Sequence, residues 1–211
     1  MSATNRGSER IENDVYPTPQ SAVAPVRFLL PATGPVVDMG AGDGALIRGF
    51  GRGPMYTALE LREECRDGLF DVASEVVTGD ALHHHPSTKY RMAISNPPYS
   101  LAEEFVRHSR AIALHSLFLL RLNFLGSMKR REFFRRDMPD VYVLPERPSF
   151  CQSVSCAVKC GWRLTLALTA ETPRACMKCG GKTKVTRSDA SEYAWFHWSG
   201  YAKAHGIVSV L

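Results

Sequence analysis

Four short apolar segments, each ending in a polar residue, constrain the fold of this 211-residue chain more than any other feature. Residues 20–30 and 101–113 are predicted helices, and alternation of strand with helix favours a parallel sheet covered on both faces. The apolar run 116–122 fits a buried fifth strand. Residues 141–144 and 193–198 are then the last two strands, expected to pair as an antiparallel hairpin. The polar residues that end the first four strands are Asp38, Glu60, Asp80 and Asn96.

A glycine-rich turn follows the first strand, with Gly40, Gly42 and Gly44 at alternate positions. Glycine lets the backbone approach a ligand closely, and the helix that follows begins with unpaired N–H groups. The spacing differs from the G-x-G-x-x-G of dinucleotide-binding turns, and no Lys-Ser/Thr pair follows as a phosphate-binding loop needs. Acids on both sides, Asp38 and Asp43, suit a ligand with a cationic aminoacyl end.

The fourth strand ends in Asn96-Pro97-Pro98-Tyr99. Two consecutive prolines cannot donate to a sheet ladder and fix their own φ, so the backbone forms a stiff elbow there. The Asn96 side-chain oxygen and the Pro97 carbonyl can both accept hydrogen bonds from one planar amino group. The Tyr99 ring can stack on the heterocycle that carries this amino group. These residues predict a site for a planar amine.

Taken in this order and spacing, the glycine turn, Glu60, Asp80 and the Asn-Pro-Pro-Tyr segment resemble the S-adenosylmethionine-dependent N6-adenine DNA methyltransferases. The likeness covers roughly residues 14–147, and residues 144–150 and 192–198 are most similar to small phage and prophage enzymes. It implies the class I methyltransferase fold: an α/β, doubly wound, mostly parallel seven-stranded sheet whose last strand is antiparallel.

The resemblance also assigns roles to residues. Glu60 lies 22 positions after Asp38, close to the offset of about 20 at which an acid bonds ribose hydroxyls in doubly wound folds. Leu61 would pack on the cofactor adenine, and Asp80 would accept from its amino group. A target adenine would be flipped out of its helix and stacked on Tyr99. The catalytic residues implied are Asn96, Pro97, Pro98 and Tyr99. The S-adenosylmethionine contacts implied are Tyr16, Thr18, Asp38, Gly40, Gly42, Glu60, Leu61, Asp80 and Ala81.

Charge is distributed unevenly along the chain. Residues 1–105 contain 9 basic and 14 acidic side chains, whereas residues 106–211 contain 17 and 7. Because phosphate neutralisation supplies most non-specific affinity, the second half is the expected nucleic-acid face. The densest basic run of this half is residues 129–136. In this run Phe133 and Phe134 are expected to pack in the core, and the cations are expected either to be solvated or to contact phosphates. These cations are Lys129, Arg130, Arg131, Arg135 and Arg136.

Five of the six cysteines fall within residues 151–179. In an intracellular protein such clustering favours a structural metal over disulfides. The pattern Cys-x3-Cys-x15-Cys-x2-Cys predicts a zinc site formed by Cys156, Cys160, Cys176 and Cys179, with Cys151 as an alternative to Cys156. The expected domains are a methyltransferase domain, residues 1–150 and 188–211, and a zinc-binding insertion, residues 151–187.

No run of eighteen apolar residues and no apolar leader occur, so a soluble, cytoplasmic protein of a bacterium or phage-infected cell is expected, without a membrane partner. The predicted partner is DNA. RNA is the alternative, because small RNA adenine methyltransferases have a similarly short N-terminus. Enzymes that methylate a glutamine side chain in a protein contain a similar Asn-Pro-Pro-Tyr motif, but they have a substantial helical domain before the cofactor motif. A non-enzymatic zinc adaptor is a further alternative, which the intact site residues disfavour.

Overall fold

The structure, a computed structural model, describes residues 17–158, 160–161, 163–167, 173–186 and 191–211. The side chains of residues 151–154, 163, 165–167 and 186 are not described. Tyr16, an expected cofactor contact, lies outside the described residues. The chain divides into two compact units. The larger unit contains residues 18–148 and 191–211, and the smaller unit contains Pro17 and the described residues of the range 149–190.

The described helices and strands alternate through the first half of the chain. The strands are β1 (Pro35–Met39), β2 (Met55–Glu60), β3 (Glu75–Thr78), β4 (Tyr90–Ser95), β5 (Ala113–Arg121), β6 (Asp140–Val143), β7 (Cys151–Cys156), β8 (Arg163–Ala167), β9 (Thr183–Thr186), β10 (Tyr193–Trp198) and β11 (Val208–Val210). The α-helices are α1 (Gln20–Val23), α2 (Ala45–Phe50), α3 (Arg66–Leu69), α4 (Ala102–Ile112) and α5 (Arg131–Arg136). Short 3-10 helices cover Ala24–Leu29, Glu63–Cys65, Ala81–His83, Tyr99–Leu101, Leu122–Phe124 and Met128–Arg130.

The larger unit is built on an eight-stranded sheet of order β11-β6-β10-β5-β4-β1-β2-β3. Strands β1 to β5 pair in parallel, and β10 runs antiparallel to both β5 and β6. The predicted α/β, doubly wound, mostly parallel sheet is therefore confirmed. The predicted count of seven strands is too low, because β11 adds an edge strand parallel to β6. Its two valines are largely exposed, so no buried apolar pattern marked it in the sequence.

The order of the strands reverses between β1 and β4. From β1 the chain proceeds outward through β2 and β3, and then returns to place β4 on the other side of β1. In open α/β sheets, such a reversal leaves a crevice at the carboxyl ends of the two strands, where ligands bind. The glycine turn follows β1 and the Asn-Pro-Pro-Tyr segment follows β4. The topology thus brings the two predicted site segments to one crevice.

The core of the larger unit lies on both faces of the sheet, and β10 contributes to each. Trp195 is fully buried, contacts the Phe50 ring at 5.8 Å between centroids and donates its indole N–H to the Ala22 carbonyl at 2.6 Å. Phe196 and Trp198 point to the opposite face, which belongs to the core cluster containing α4 and α5 side chains. This alternation follows from the period of two along a strand.

One predicted helix differs in detail from the structure. The segment 20–30 forms α1 and then a 3-10 helix over Ala24–Leu29. Pro25 lacks an N–H and its ring clashes with the preceding turn, so a regular α-helix cannot continue through it. The basic segment forms α5, where Phe134 is buried and Phe133 is partly buried, as predicted.

Among the described helices the longest, α4, has 11 residues, and none has the length and apolarity to span a bilayer.

The smaller unit contains a three-stranded antiparallel sheet of order β8-β7-β9. The central strand β7 ends at Cys156. An isolated bridge between Ala175 and Lys182 closes the turn that contains Cys176 and Cys179. The sequence predicted a metal-bound insertion here but not its strands, because the strands are short and interrupted by turns.

Candidate active site and cysteine cluster

The glycine turn after β1 is fixed against the end of β2. The backbone N–H groups of Gly40 and Ala41 both donate to the Leu59 carbonyl at 2.9 Å. Gly40 and Gly42 have φ of 80° and 60°, a left-handed conformation that glycine adopts without strain. A Cβ at Gly42 would meet only the tip of the Arg62 side chain, at 3.8 Å. The turn therefore leaves its backbone open to a ligand.

Glu60, at the end of β2, is held as an ordered carboxylate. One oxygen accepts from the backbone N–H of Gly42 at 2.7 Å, and the other accepts from the side chain of Arg62 at 2.8 Å. The backbone N–H of Arg62 donates to the second oxygen as well, at 3.1 Å. The carboxylate joins the glycine turn to the end of β2, which is the position that the sequence predicts for a ribose-binding acid.

The surroundings of the Asp38 side chain differ from those of Glu60. Its side chain is fully buried, and neither carboxylate oxygen has a hydrogen-bond partner among the described residues. Burial, together with the charges of Glu60 and Asp43, raises the pKa of Asp38 well above its ordinary value. A buried carboxylate without a partner is costly. A cationic group of a ligand in the crevice would provide that partner.

Asn96 is held by its amide group at the end of β4. Its Nδ2 donates to Thr18 Oγ1 at 3.0 Å, and its Oδ1 accepts from the Tyr99 hydroxyl at 3.1 Å. Thr18 is 7% exposed, and Pro97 is buried. The two hydrogen bonds hold the amide plane in place, and in the orientation observed Oδ1 faces the Tyr99 hydroxyl.

Two residues that sequence reasoning missed support Tyr99. The Arg121 guanidinium lies over the Tyr99 ring, 4.8 Å from its centroid, and the Tyr193 ring lies 5.8 Å away. Arg121 Nε also donates to the Tyr193 hydroxyl at 3.1 Å. Both residues lie in segments that the sequence predicts as strands, and the one signal of a further role is the charge of Arg121 at the carboxyl end of an otherwise apolar strand.

The remaining predicted cofactor contacts lie after β2 and β3. Leu61 is 67% exposed, so its side chain is accessible to a planar ring. Asp80 caps the 3-10 helix Ala81–His83: one oxygen accepts from the Leu82 N–H at 2.9 Å, and the other pairs with His83 at 3.1 Å. Ala81 is buried. In this structure Asp80 is engaged locally, and a bound adenine would share or replace these contacts.

The predicted nucleic-acid residues divide into two groups. Arg130 is bound within the unit, since its Nε donates to the Phe124 carbonyl at 2.8 Å, its guanidinium covers the Phe124 ring, and it lies 3.8 Å from Glu103. The other four are exposed, although Arg135 also lies 3.6 Å from Glu132. The exposed residues are Lys129, Arg131, Arg135 and Arg136.

Four cysteines form a compact cluster in the smaller unit: Cys156, Cys160, Cys176 and Cys179 have all their sulfur atoms within 4.8 Å of one another. Cys156 Sγ lies 3.5 Å from Cys179 Sγ, and Cys160 Sγ lies 3.5 Å from Cys176 Sγ. Four thiolates at such distances can hold a metal ion. Cys156 is thus in the cluster, whereas the side chain of the alternative, Cys151, is not described.

The turn around Cys176 has the backbone hydrogen bonds that a metal-binding turn needs. The Cys176 N–H donates to the Gly181 carbonyl at 2.7 Å, and the Gly180 N–H donates to the Cys176 carbonyl at 2.8 Å. Gly180 has a φ of 69°. The N–H of Lys178 points at Cys176 Sγ, at 3.4 Å. A hydrogen bond from the backbone of Cys160 lowers the pKa of the Cys156 thiol to about 6. A hydrogen bond from the Gly181 backbone lowers the pKa of the Cys179 thiol, but hydrogen bonds with the other three cysteine side chains together raise it to about 12.

Several solved structures share the fold of this chain at low sequence identity. One is a candidate RNA methyltransferase from Pyrococcus horikoshii, with a TM-score of 0.56 and 14% identity over 91% of this chain and 90% of that chain. Another is a candidate class I S-adenosylmethionine-dependent methyltransferase from Listeria monocytogenes, with a TM-score of 0.56 and 10% identity over 97% of this chain and 68% of that chain. A tRNA m1G37 methyltransferase from M. jannaschii has a TM-score of 0.51 and 13% identity over 86% of this chain and 49% of that chain. No family model and no curated protein matches the sequence. The chain has the fold of the class I methyltransferases.

The environment of Asp38 predicts how stability depends on pH. The unfolded chain ionises Asp38 near pH 4, whereas the folded protein keeps the proton to higher pH. The free energy of unfolding should therefore fall as pH rises from about 4 toward the folded-state pKa. In Asp38→Asn this loss is absent, so the variant should gain on the wild type by about 1.4 kcal/mol per pH unit in that window. Urea unfolding at several pH values measures it.

A control variant separates this effect from a general change in charge. The matched control is Asp71→Asn, which makes the same change of charge at an exposed position. If the Asp38→Asn and wild-type profiles run parallel, Asp38 does not titrate as its burial indicates.

Proposed function

We propose that this protein transfers a methyl group from S-adenosylmethionine to the exocyclic N6 amine of adenine in DNA. The observation that carries the proposal is the Asn96 amide, held at the carboxyl end of β4 next to the glycine turn of β1. An acceptor for a planar amine thus lies at the crevice where the fold binds its ligands. The class I methyltransferase fold supports S-adenosylmethionine as the methyl donor.

The residues of the crevice fit this cofactor. Asp38, buried without a partner, would face the cationic amino group of the methionine part. Glu60 would accept from the ribose hydroxyls, and the open backbone at Gly42 would allow close approach. Leu61 and Asp80 would contact the adenine ring and its amino group. When bound, S-adenosylmethionine supplies a methyl group on a sulfonium, which is a strong electrophile.

The chain's own residues then make the amine reactive. The adenine amine is a poor nucleophile, because its lone pair is delocalised into the ring. Hydrogen bonds accepted by Asn96 Oδ1 and the Pro97 carbonyl would draw the nitrogen toward tetrahedral geometry and free the lone pair. Asn96 Oδ1 accepts from Tyr99 already, and an amide oxygen has a second lone pair for the substrate. The nitrogen would gain the methyl group as the sulfur–methyl bond breaks and its electron pair stays on sulfur, which leaves a neutral thioether. The nitrogen then releases a proton to water.

Tyr99 and the basic segment would hold the nucleic acid. A base flipped out of its helix can stack on an aromatic ring, and the Tyr99 ring is kept in place by Arg121. The exposed cations that follow β5 would neutralise phosphates. They are Lys129, Arg131, Arg135 and Arg136. RNA is the second candidate substrate, because it offers the same amine and the same phosphates to these residues.

We further propose that Cys156, Cys160, Cys176 and Cys179 hold one structural zinc ion. Their sulfur atoms lie within 4.8 Å of one another, and four thiolates form the closed tetrahedral set that is typical of structural zinc. The smaller unit is also too short to bury a large core, and small domains of this size usually need a metal or disulfides.

The first test removes the acceptor. Asn96→Ala should lose methyl transfer by about 100-fold or more while it keeps its affinity for S-adenosylmethionine, because the acceptor matters mainly near the transition state. Calorimetry measures the affinity, and transfer of labelled methyl groups to DNA, RNA and protein, in parallel, measures turnover. Asn123→Ala, at an exposed asparagine, is the matched control. Near wild-type turnover in Asn96→Ala would show that the catalytic assignment is wrong.

The second test concerns the residue that orients Asn96. Thr18→Val removes the acceptor of the Asn96 amide N–H but keeps the side-chain shape, so turnover should fall about tenfold, as expected for one hydrogen bond. Thr18→Ser keeps the oxygen and should retain most of the activity. The comparison of kcat with the Kd for the cofactor distinguishes this role from cofactor binding. Equal turnover in the Val and Ser variants would contradict it.

The third test measures the metal. Protein prepared without chelators should contain about one zinc ion per chain, as four thiolates bind one ion. The double variant Cys176→Ser/Cys179→Ser should lose it, and Cys65→Ser, in the larger unit, should not. Elemental analysis of the three proteins decides. Cys156→Ser and Cys151→Ser distinguish the two alternatives for the fourth ligand, since only Cys156→Ser should release the metal.

A further inference from the structure

The two turns that contain the clustered cysteines each present an exposed apolar side chain. Val158 follows Cys156 by two positions and is 71% exposed, and Met177 directly follows Cys176 and is 79% exposed. The turns converge, because the four sulfur atoms lie within 4.8 Å of one another. A Cβ at Gly181, just after the second turn, would lie 2.8 Å from Val158. The two turns thus pack against each other, and Val158 and Met177 project from the paired turns into solvent.

Positive charge accompanies these side chains. In the sequence of residues 149–190, seven Lys and Arg stand against two acids, Glu171 and Asp189, and no acidic side chain occurs in the described part of this unit. Lys178 donates to the Cys160 carbonyl at 3.2 Å, which fixes one cation at the cysteine cluster. The exposed cations are Arg174, Lys178, Lys182 and Lys184. These residues, together with Val158 and Met177, form what we call the knuckle surface.

We propose that the knuckle surface binds single-stranded nucleic acid. Cations neutralise backbone phosphates, and apolar side chains can contact the faces of unpaired bases, which are buried in a duplex. A zinc ion with four thiolates would contribute a charge of −2, and the seven Lys and Arg against two acids still leave the unit net positive toward a polyanion. A lipid surface fits less well, because two isolated apolar side chains bury far less area than an amphipathic helix inserted in a bilayer.

This surface would add affinity for the strand that carries the methylated base, and in that respect it extends the proposed function. Binding to it requires neither S-adenosylmethionine nor Asn96. Its failure is therefore distinguishable from failure of the proposed function. Strand binding that the knuckle variants weaken would support the knuckle surface even without methyl transfer, and methyl transfer with strand binding unchanged in those variants would leave the catalytic assignment intact.

The test measures binding by the full-length, metal-containing chain. The probes are fluorescent single strands of DNA and of RNA, about 20 nucleotides long, a duplex of equal length, and anionic lipid vesicles. Two variants target the surface: Lys182→Ala/Lys184→Ala and Met177→Ser. The matched controls lie in the larger unit at exposed positions: Arg52→Ala/Lys89→Ala and Met55→Ser. Elemental analysis of each variant establishes that the cysteine cluster is intact.

The double lysine variant should bind single strands about tenfold more weakly and reduce the slope of log affinity against log salt by about 1.4, or about 0.7 for each lost phosphate contact. Met177→Ser should weaken binding to single strands about fivefold and to duplex little, because base faces are accessible only when unpaired. The DNA and RNA probes show which strand is preferred. Single-strand affinities equal to those of the controls would overturn the proposal, as would loss of vesicle binding with single-strand binding unchanged.

Discussion

The reversal of strand order between β1 and β4 is the constraint on which the site depends. Parallel strands deliver their carboxyl ends to one edge of the sheet, and the reversal opens a crevice between the segments that follow β1 and β4. The positions of the glycine turn, Glu60 and Asn96 are consequences of this topology. Both strands are buried along nearly their whole length, so a shift in register would place side chains of the wrong size against the tightly packed core. The stability of the sheet and the geometry of the site therefore have the same origin.

Two carboxyl groups at this edge of the sheet, those of Glu60 and Asp38, have different hydrogen-bonding surroundings. Glu60 accepts hydrogen bonds from two backbone N–H groups and pairs with Arg62, so its charge is compensated before any ligand binds. Asp38, two residues before Gly40, has no such partner among the described residues, and its pKa is raised. Burying such a group lowers the stability of the fold. Proteins keep groups of this kind at positions where they bind a ligand. The contrast favours a cationic ligand group at Asp38 and neutral hydroxyls at Glu60.

The sequence predicted the central sheet well, because continuous apolar runs identify strands that are buried on both faces. It did not predict β11, which is short and exposed, or the three strands around the cysteine cluster. The contact between Thr18 and Asn96 joins residues 78 positions apart, and no local pattern encodes such a pair. Arg130 illustrates a related limit: the same basic run contains exposed cations and one bound to Phe124 and Glu103. Composition predicts charge, but only packing decides which charges reach a partner.

The two units differ in what stabilises their folds. The larger unit has a core of aromatic and aliphatic side chains on both faces of its sheet, so it can bury an unpaired acid and still fold. The smaller unit has three short strands and four clustered thiols. A metal held by four thiolates would replace the missing core, because it fixes both turns without needing apolar side chains between them. Val158 and Met177 remain largely exposed beside the cysteine cluster, so they add little to a core and are accessible for the strand binding that we propose.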